Sequence, residues 1–273
     1  MKSAKFGRAL LAMFCLLWLM ACAHSEKAIS DEKTPKVLVT GQIGFDSADG
    51  VKMPEDWSKG QKVFTLQDFE VGQGPNRILL VGVQFELQGS RAIVDQVALS
   101  GVTFGGQEMS RIPGSDIQFS WNHKGTDITF EMFLYYLVNP PSGSRDIAVT
   151  YTGPVPSGNV GAISLYNVKQ TAPLILATNT QDKKKKKIIT KVTTKSDGAW
   201  IVDLVGCNHK SDLKPQTEGH ILRFNAQEFV GGKSSLLGGT LPVPTAGEVT
   251  LHWAMKRWHN RLAHVAVEIN PYP

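Results

Sequence analysis

Asp146-Ile147-Ala148-Val149-Thr150-Tyr151, followed by Gly161-Ala162-Ile163-Ser164-Leu165, decides the fold. Successive side chains of an extended strand point to opposite sides. Ile147, Val149 and Tyr151 therefore share one face, and Ile163 and Leu165 share one face of the next run. Shifted by 102 residues, Glu248-Val249-Thr250-Leu251-His252-Trp253 is followed by Ala263-His264-Val265-Ala266-Val267 in the same pattern. Each unit reads as an antiparallel hairpin. Matching apolar faces predicts residue 149 opposite 163 and 251 opposite 265, since a one-residue slip turns a strand inside out. The recurrence suggests one domain with two pseudosymmetric halves, although any two β-hairpins share such features. No Pro- or Ser-rich linker divides them.

The rest of the chain after Val37 is of the same kind. Short β-branched and aromatic runs are bounded by Gly, Pro, Asn and Ser. They are Val63 to Phe69, Ile78 to Leu87, Val94 to Phe104, Ile117 to Trp121, Ile128 to Val138, Leu174 to Thr180, Ile188 to Thr194, Ala199 to Val205 and His220 to Phe224. No helical period recurs after the first twenty-two residues. The expectation is an all-β, antiparallel two-sheet β-sandwich, jelly-roll-like, over residues 37–273.

Three further motifs follow one another: Pro75-Asn76-Arg77-Ile78-Leu79-Leu80-Val81-Gly82-Val83, then Val102-Thr103-Phe104-Gly105-Gly106, then Tyr135-Tyr136-Leu137-Val138-Asn139-Pro140-Pro141-Ser142-Gly143. In this order they resemble a β-sandwich domain of secreted and surface bacterial proteins, over roughly Val63 to Pro273. The motifs are structural, so the resemblance implies a fold and no activity. Ile78 to Val83 is nearly continuous apolar, as in a strand buried on both faces. Gly105-Gly106 suits a tight turn, and Asn139 to Gly143 ends one strand before the next.

The N-terminus reads as an address. Lys2, Lys5 and Arg8 precede an apolar run, which ends in Leu19-Met20-Ala21-Cys22. At about fifteen residues the run is shorter than the ~20 that span a bilayer. Leu19, Ala21 and Cys22 resemble the lipobox of bacterial lipoproteins, with Met20 an untypical residue. The resemblance implies a signal over residues 1–21, acylation of Cys22 (palmitate-like chains) and a polar tether over 22–36. Two or more acyl chains anchor stably. Ala23 after the cysteine would favour the outer membrane. A secretory signal cut near Ala21 or Ala23 and an uncleaved anchor are the alternatives.

Charge and cysteines bound the partners. The chain holds three cysteines. On the lipoprotein resemblance Cys15 would leave with the signal and Cys22 would be lipidated, so Cys207 is alone and no disulfide is expected. The net charge of +5 comes from 29 Lys and Arg against 24 Asp and Glu. Lys2, Lys5 and Arg8 lie in the signal and Lys183 to Lys187 form one run. This does not describe a nucleic-acid-binding face. The run reads as an exposed turn, either merely solvated or in contact with an anionic surface such as lipid or lipopolysaccharide.

No G-x-S-x-G, H-E-x-x-H, Walker or dinucleotide motif is present, so no catalytic residue is assigned. Lys256-Arg257-Trp258-His259-Asn260-Arg261 forms the tip of the last hairpin. There Lys256, Arg257, Trp258, His259 and Arg261 can stack on a sugar or grip an anionic glycan; the plain alternative is a Trp folded back among solvated charges. Trp121 with His123, and Trp57 near Asp56 and Lys59, are weaker versions. The expected hairpin places His252 opposite His264, away from Trp253, as a metal pair with Glu268 or as an ordinary polar face. Cys207 and His209 share a face as a ligand set or a nucleophile and base, or Cys207 simply packs. Asp46-Ser47-Ala48-Asp49-Gly50 suits a structural Ca²⁺ or a plain Asp-Gly turn; no other cofactor and no catalytic metal is expected.

The expected function is a lipid-anchored envelope β-sandwich, not an enzyme, that binds a glycan or another surface protein. The alternative is a structural lipoprotein docked in an envelope assembly. A glycan-processing hydrolase would need two carboxylates in one cleft, drawn from Glu70, Glu86, Asp95, Glu108, Asp116, Glu131, Asp203 and Glu268.

Overall fold

Alternating β-branched and aromatic residues draw the chain into strands, and its turns carry it from layer to layer. The structure, a computed structural model, describes residues 41–53, 60–89, 97–209, 211–227, 234–257 and 260–273. Trp57, Asp95, Trp258, His259 and Cys22 with its lipobox lie outside them. The first half runs β1 (Gly44–Lys52), β2 (Gln61–Val71), β3 (Ile78–Gln88), β4 (Leu99–Phe104), β5 (Gln107–Glu108), β6 (Ser110–Arg111), β7 (Ile117–His123), β8 (Thr126–Val138), β9 (Gly143–Val155) and β10 (Ser157–Tyr166). The second runs β11 (Leu174–Lys185), β12 (Lys187–Thr193), β13 (Ala199–Cys207), β14 (Lys214–Pro215), β15 (Ile221–Ala226), β16 (Ser235–Val243), β17 (Glu248–Ala254) and β18 (Asn260–Ile269). No helix among the described residues is long and apolar enough to cross a membrane.

The fold is an all-β sandwich, and its two halves share one topology. In the first half an inner sheet orders β1-β10-β3-β8-β6, with β7 on β8, and an outer sheet orders β2-β9-β4-β5. In the second, the inner sheet orders β11-β18-β13-β16-β15 and the outer β12-β17-β14. Edge strand, crossing strand and returning strand correspond one for one, and all pairs are antiparallel. Each half is thus a jelly roll, with consecutive strands shuttling between two sheets. The expected two-sheet sandwich is present twice.

The two inner sheets then pack face to face. Leu79, Val81, Val83 and Phe85 of β3 face the first half's outer sheet with Phe64, Val149 and Tyr151. Ile78 and Leu80 of the same strand join Val202, Leu204, Leu236, Val265 and Val267 from the second half. Ten of the eleven residues of β3 are buried, which explains its nearly continuous apolar sequence. The order is outer, inner, inner, outer.

Both predicted hairpins are corrected. β9 pairs β2 and β4, while β10 pairs β1 and β3. β17 pairs β12 and β14, while β18 pairs β11 and β13. The matched faces do not meet: Ile147, Val149 and Tyr151 pack inside the first half, whereas Ile163 and Leu165 pack between the inner sheets, and Leu251 and Trp253 are likewise parted from Val265 and Val267. Alternation fixes which face is buried and is silent on whether the opposing strand is a hydrogen-bonded neighbour or lies in the other layer. The Asp46–Gly50 turn is likewise part of edge strand β1, bent by a bulge between Phe45 and Ser47. Strand β16, with Gly238, Gly239 and Pro242, carries no strand pattern in sequence.

Those glycines have a packing reason. A Cβ on Gly238 would lie 2.2 Å from the Phe224 ring, and one on Gly161 2.0 Å from it. Phe224 is 6 % exposed, and its ring fills the space left by these glycines of β10 and β16. We predict that Gly161→Ala lowers stability by about 1–3 kcal/mol through overpacking. In urea denaturation, adding Phe224→Leu should recover part of that loss. Fully additive losses would show that glycine and ring do not share the space.

Candidate ligand-binding cleft

Along one end of the inner-sheet interface the chemistry changes from apolar to polar. On β3 the residues facing the second half run Ile78, Leu80, Gly82, then Gln84, Glu86 and Gln88. On β18 they run Ile269, Val267, Val265, Ala263, then Arg261. Gln84 is still buried and donates to the Cys207 carbonyl at 3.3 Å across the interface; beyond it the sheets part, leaving a cleft of about 590 Å³. Glu86 and Gln88, Trp121 and His123 of β7, Thr126 and Ile128 of β8, and Lys124 between them line one side. Lys184, Asn208, His209, Asn260 and Arg261 line the other.

Arg261 lies over Trp121, its guanidinium carbon 4.9 Å from the ring centroid. Its backbone N–H donates to Asn208 Oδ1 at 2.8 Å, tying the ends of β13 and β18 together. Its Nε is buried without a hydrogen-bond partner among the described residues. Burial pulls its pKa down from the ordinary value, opposed by the charges of Asp182 and Glu86; a guanidinium remains charged. A cationic, aromatic and amide-lined recess offers a flat apolar face beside several donors and acceptors, a more polar lining than most small-molecule pockets have.

Several sequence candidates meet at this end. Lys183 to Lys187 are all exposed and straddle the bend from β11 to β12. Lys186 Nζ donates to the Lys256 carbonyl at 3.0 Å, which places the lysine run beside the last loop. Lys256 and Arg257 are exposed, and Arg257 Nε is 3.8 Å from Asp212 Oδ2. Trp121 and His123 belong to the cleft itself. The alternation of Gln84, Glu86 and Gln88 in an otherwise apolar run is the sequence signal of this polar face.

Other candidates come apart. His252 pairs with Ile189 in the outer sheet, and His264 lies opposite Val205 and Asn179 in the inner one. Glu268 accepts the N–H groups of Lys195 and Ser196. Cys207 is fully buried, and burial pushes its thiol up to about 12 despite hydrogen bonds from Ser211 and Asn260. His209 lies beyond the strand end and is exposed, so the two are no nucleophile and base. Asp46 Oδ2 accepts Gly72 N–H at 2.7 Å and the Ser164 hydroxyl at 2.8 Å, and Asp49 Oδ1 accepts Gly50 N–H. No cluster of three or more His, Cys, Asp or Glu side chains able to hold a metal occurs among the described residues.

His264 instead belongs to a polar centre buried in the second sandwich. Asp203 Oδ2 accepts Trp253 Nε1–H at 2.7 Å and His264 Nε2–H at 2.9 Å, and its Oδ1 accepts His220 Nε2–H at 2.9 Å. A carboxylate only accepts, so both histidines carry their hydrogen on Nε2. His264 Nδ1 meets Thr190 Oγ1 at 2.7 Å, and Asn179 Nδ2 donates to that oxygen at 3.0 Å. Asp203, His264 and Thr190 have the connectivity of an acid, base and nucleophile. The Asp203, His220 and His264 side chains are wholly buried, so no substrate reaches them. The corresponding places in the first half hold Leu79, Tyr151 and Ala162 within an apolar core.

Burial raises the Asp203 pKa, but His220, by charge and hydrogen bond, and then His264 outweigh it and hold the carboxyl well below its ordinary range. A lowered folded pKa contributes stability that is present above the unfolded value, near ~4, and lost as pH falls toward the folded one. Asp203→Asn should cost about 3–5 kcal/mol at neutral pH by breaking a buried charged pair. The Tm gap between variant and parent should narrow as pH is lowered below about 4. A gap that stays constant down to acid unfolding would mean the carboxylate charge contributes nothing.

Comparison with protein-family models, with curated proteins and with solved structures finds no match.

Proposed function

We propose that the protein recognises a saccharide in the cleft between its two inner sheets, as a lipid-anchored protein of the bacterial cell envelope, and performs no catalysis there. One observation carries this reading: Arg261 packed on Trp121 at a recess that also holds Gln88, Asn208 and Asn260. A sugar ring presents an apolar face bordered by hydroxyls, which match an aromatic surface bordered by amides and a guanidinium. The described lining holds one carboxylate, Glu86, where glycoside hydrolysis uses a pair; this supports recognition over cleavage. The anchor rests on Leu19, Ala21 and Cys22, with Ala23 favouring the outer membrane.

A structural role in an envelope assembly is the second reading. It is favoured by β15, an inner-sheet edge that leaves Ile221 46 % and Leu222 36 % exposed. Exposed apolar residues on an edge strand suit a protein partner.

Full-length protein in detergent should bind at least one member of a bacterial and host glycan panel saturably. Trp121→Ala should weaken that binding about tenfold or more, the equivalent of ~1.4 kcal/mol. Binding unchanged by Trp121→Ala removes the cleft from the site, and silence across the panel turns the reading to a protein partner. Cys22→Ala should release the protein from membranes. Continued sedimentation of the processed chain with membranes would rule out the lipid anchor.

A further inference from the structure

We infer that the ligand is an acidic polysaccharide, which leaves the cleft along a strip of basic residues formed by the lysine run and the last loop. This rests on the saccharide reading and names its chemical class. Lys and Arg outnumber Asp and Glu only by 29 to 24 over the whole chain, so a concentration of positive groups at one end is an asymmetry of the fold.

Three separate segments build it. Lys124 in the turn from β7 to β8, Lys184 on β11 and Arg261 on β18 line the cleft. From Lys184 the strip continues through the exposed Lys185, Lys186 and Lys187. Lys185 lies opposite Asn260 on β18 and Lys187 opposite Ala254 on β17, so the run spans from the inner to the outer sheet. Lys256 and Arg257 extend the strip beside it, held there by the Lys186 bond to the Lys256 carbonyl. Acids are present but outnumbered: Glu86 and the exposed Asp182 act on Arg261, Asp127 accepts Asn122 Nδ2 at 2.9 Å and Asp212 lies beside Arg257, against Lys124, Lys183 to Lys187, Lys256, Arg257 and Arg261.

Adjacent lysines repel one another and lower the stability of an edge strand unless an anion neutralises them. A chain with one acidic group per sugar does so at repeated intervals, while its first ring occupies the recess against Trp121. The Arg261 guanidinium, whose buried Nε has no hydrogen-bond partner among the described residues, gives that ring's carboxylate a charged donor group at the cleft. A surface that only adsorbs to anionic lipid has no need of a recess lined by Trp121, Gln88 and Asn208, and this favours the polysaccharide.

The test compares polygalacturonate with neutral galactan against full-length protein in detergent, from low to moderate salt. Polygalacturonate should bind about tenfold or more tighter, with log affinity falling linearly in log salt as counterions leave the polyanion. Replacing Lys183 to Lys187 with Ser should flatten that slope while thermal unfolding stays cooperative. Arg261→Gln should reduce the preference for the acidic chain, with the slope largely kept. Equal binding of both polymers overturns the acidic assignment and leaves saccharide recognition standing. An unchanged slope in the serine variant overturns the strip. Binding to 3:1 phosphatidylcholine/phosphatidylglycerol vesicles, with neither polymer bound, overturns this inference and the saccharide reading together.

Discussion

Everything in this protein hangs on the contact between the two inner sheets. A single jelly roll buries one face of each sheet and wets the other. Here each half also buries the outward face of its inner sheet against its twin, so β3 and β10 are apolar on both sides. Close approach is possible because backbone replaces side chain at chosen points: Gly161 and Gly238 receive the Phe224 ring, and a Cβ on Gly82 would collide with Leu204. The same contact generates the cleft. The interface ends beyond Gln84, where Glu86 and Gln88 on β3 and Arg261 on β18 replace apolar residues, because buried polar groups need partners or water.

Much of this was legible in the sequence, and the failures share one cause. Alternation in Ile147-Val149-Tyr151 and Val249-Leu251-Trp253 identifies the buried faces correctly, and the 102-residue recurrence marks two halves with one topology. What alternation lacks is the third dimension. It cannot separate a neighbour in the ladder from a neighbour across the core, so it places His264 opposite His252, whereas the partner of His264 is Asp203. Strands β1 and β16 carry no strand pattern because their glycines answer to rings on other strands, Tyr166 at Gly44 and Phe224 at Gly50 and Gly238. The cleft was half legible. Its aromatic and basic residues stood out one at a time, while their convergence depends on three turns that only the topology brings to one end.

The centre around Asp203 shows how differently two copies of one plan can be filled. Where the first half packs Leu79, Tyr151 and Ala162, the second places a carboxylate, an indole and an imidazole in mutual hydrogen bonds. The plan needs no buried charge, since its twin stands without one. The polar version replaces shape-tolerant apolar contact with directional bonds that admit one arrangement of Trp253, His220 and His264, which is how satisfied buried networks specify a core. It is sealed from solvent and separate from the cleft, which mixes the exposed His123, Lys124 and Lys184 with the buried Glu86 and Asn260.

The duplicated plan also sets an order of events during folding. Each jelly roll pairs its first strand with its last, β1 with β10 and β11 with β18. Neither closes until its whole length is present, and contacts so distant in sequence form slowly. A chain emerging N-terminus first completes the half ending at Tyr166 while β11 to β18 are still to come. That half then displays Ile78, Leu80, Ile163 and Leu165 to water on a finished sheet with no cover. Such a surface invites association with any similar surface nearby, including a second chain at the same stage. The polar residues at its far end interrupt that surface, so the feature that opens the cleft in the mature protein also limits the apolar area exposed during the wait.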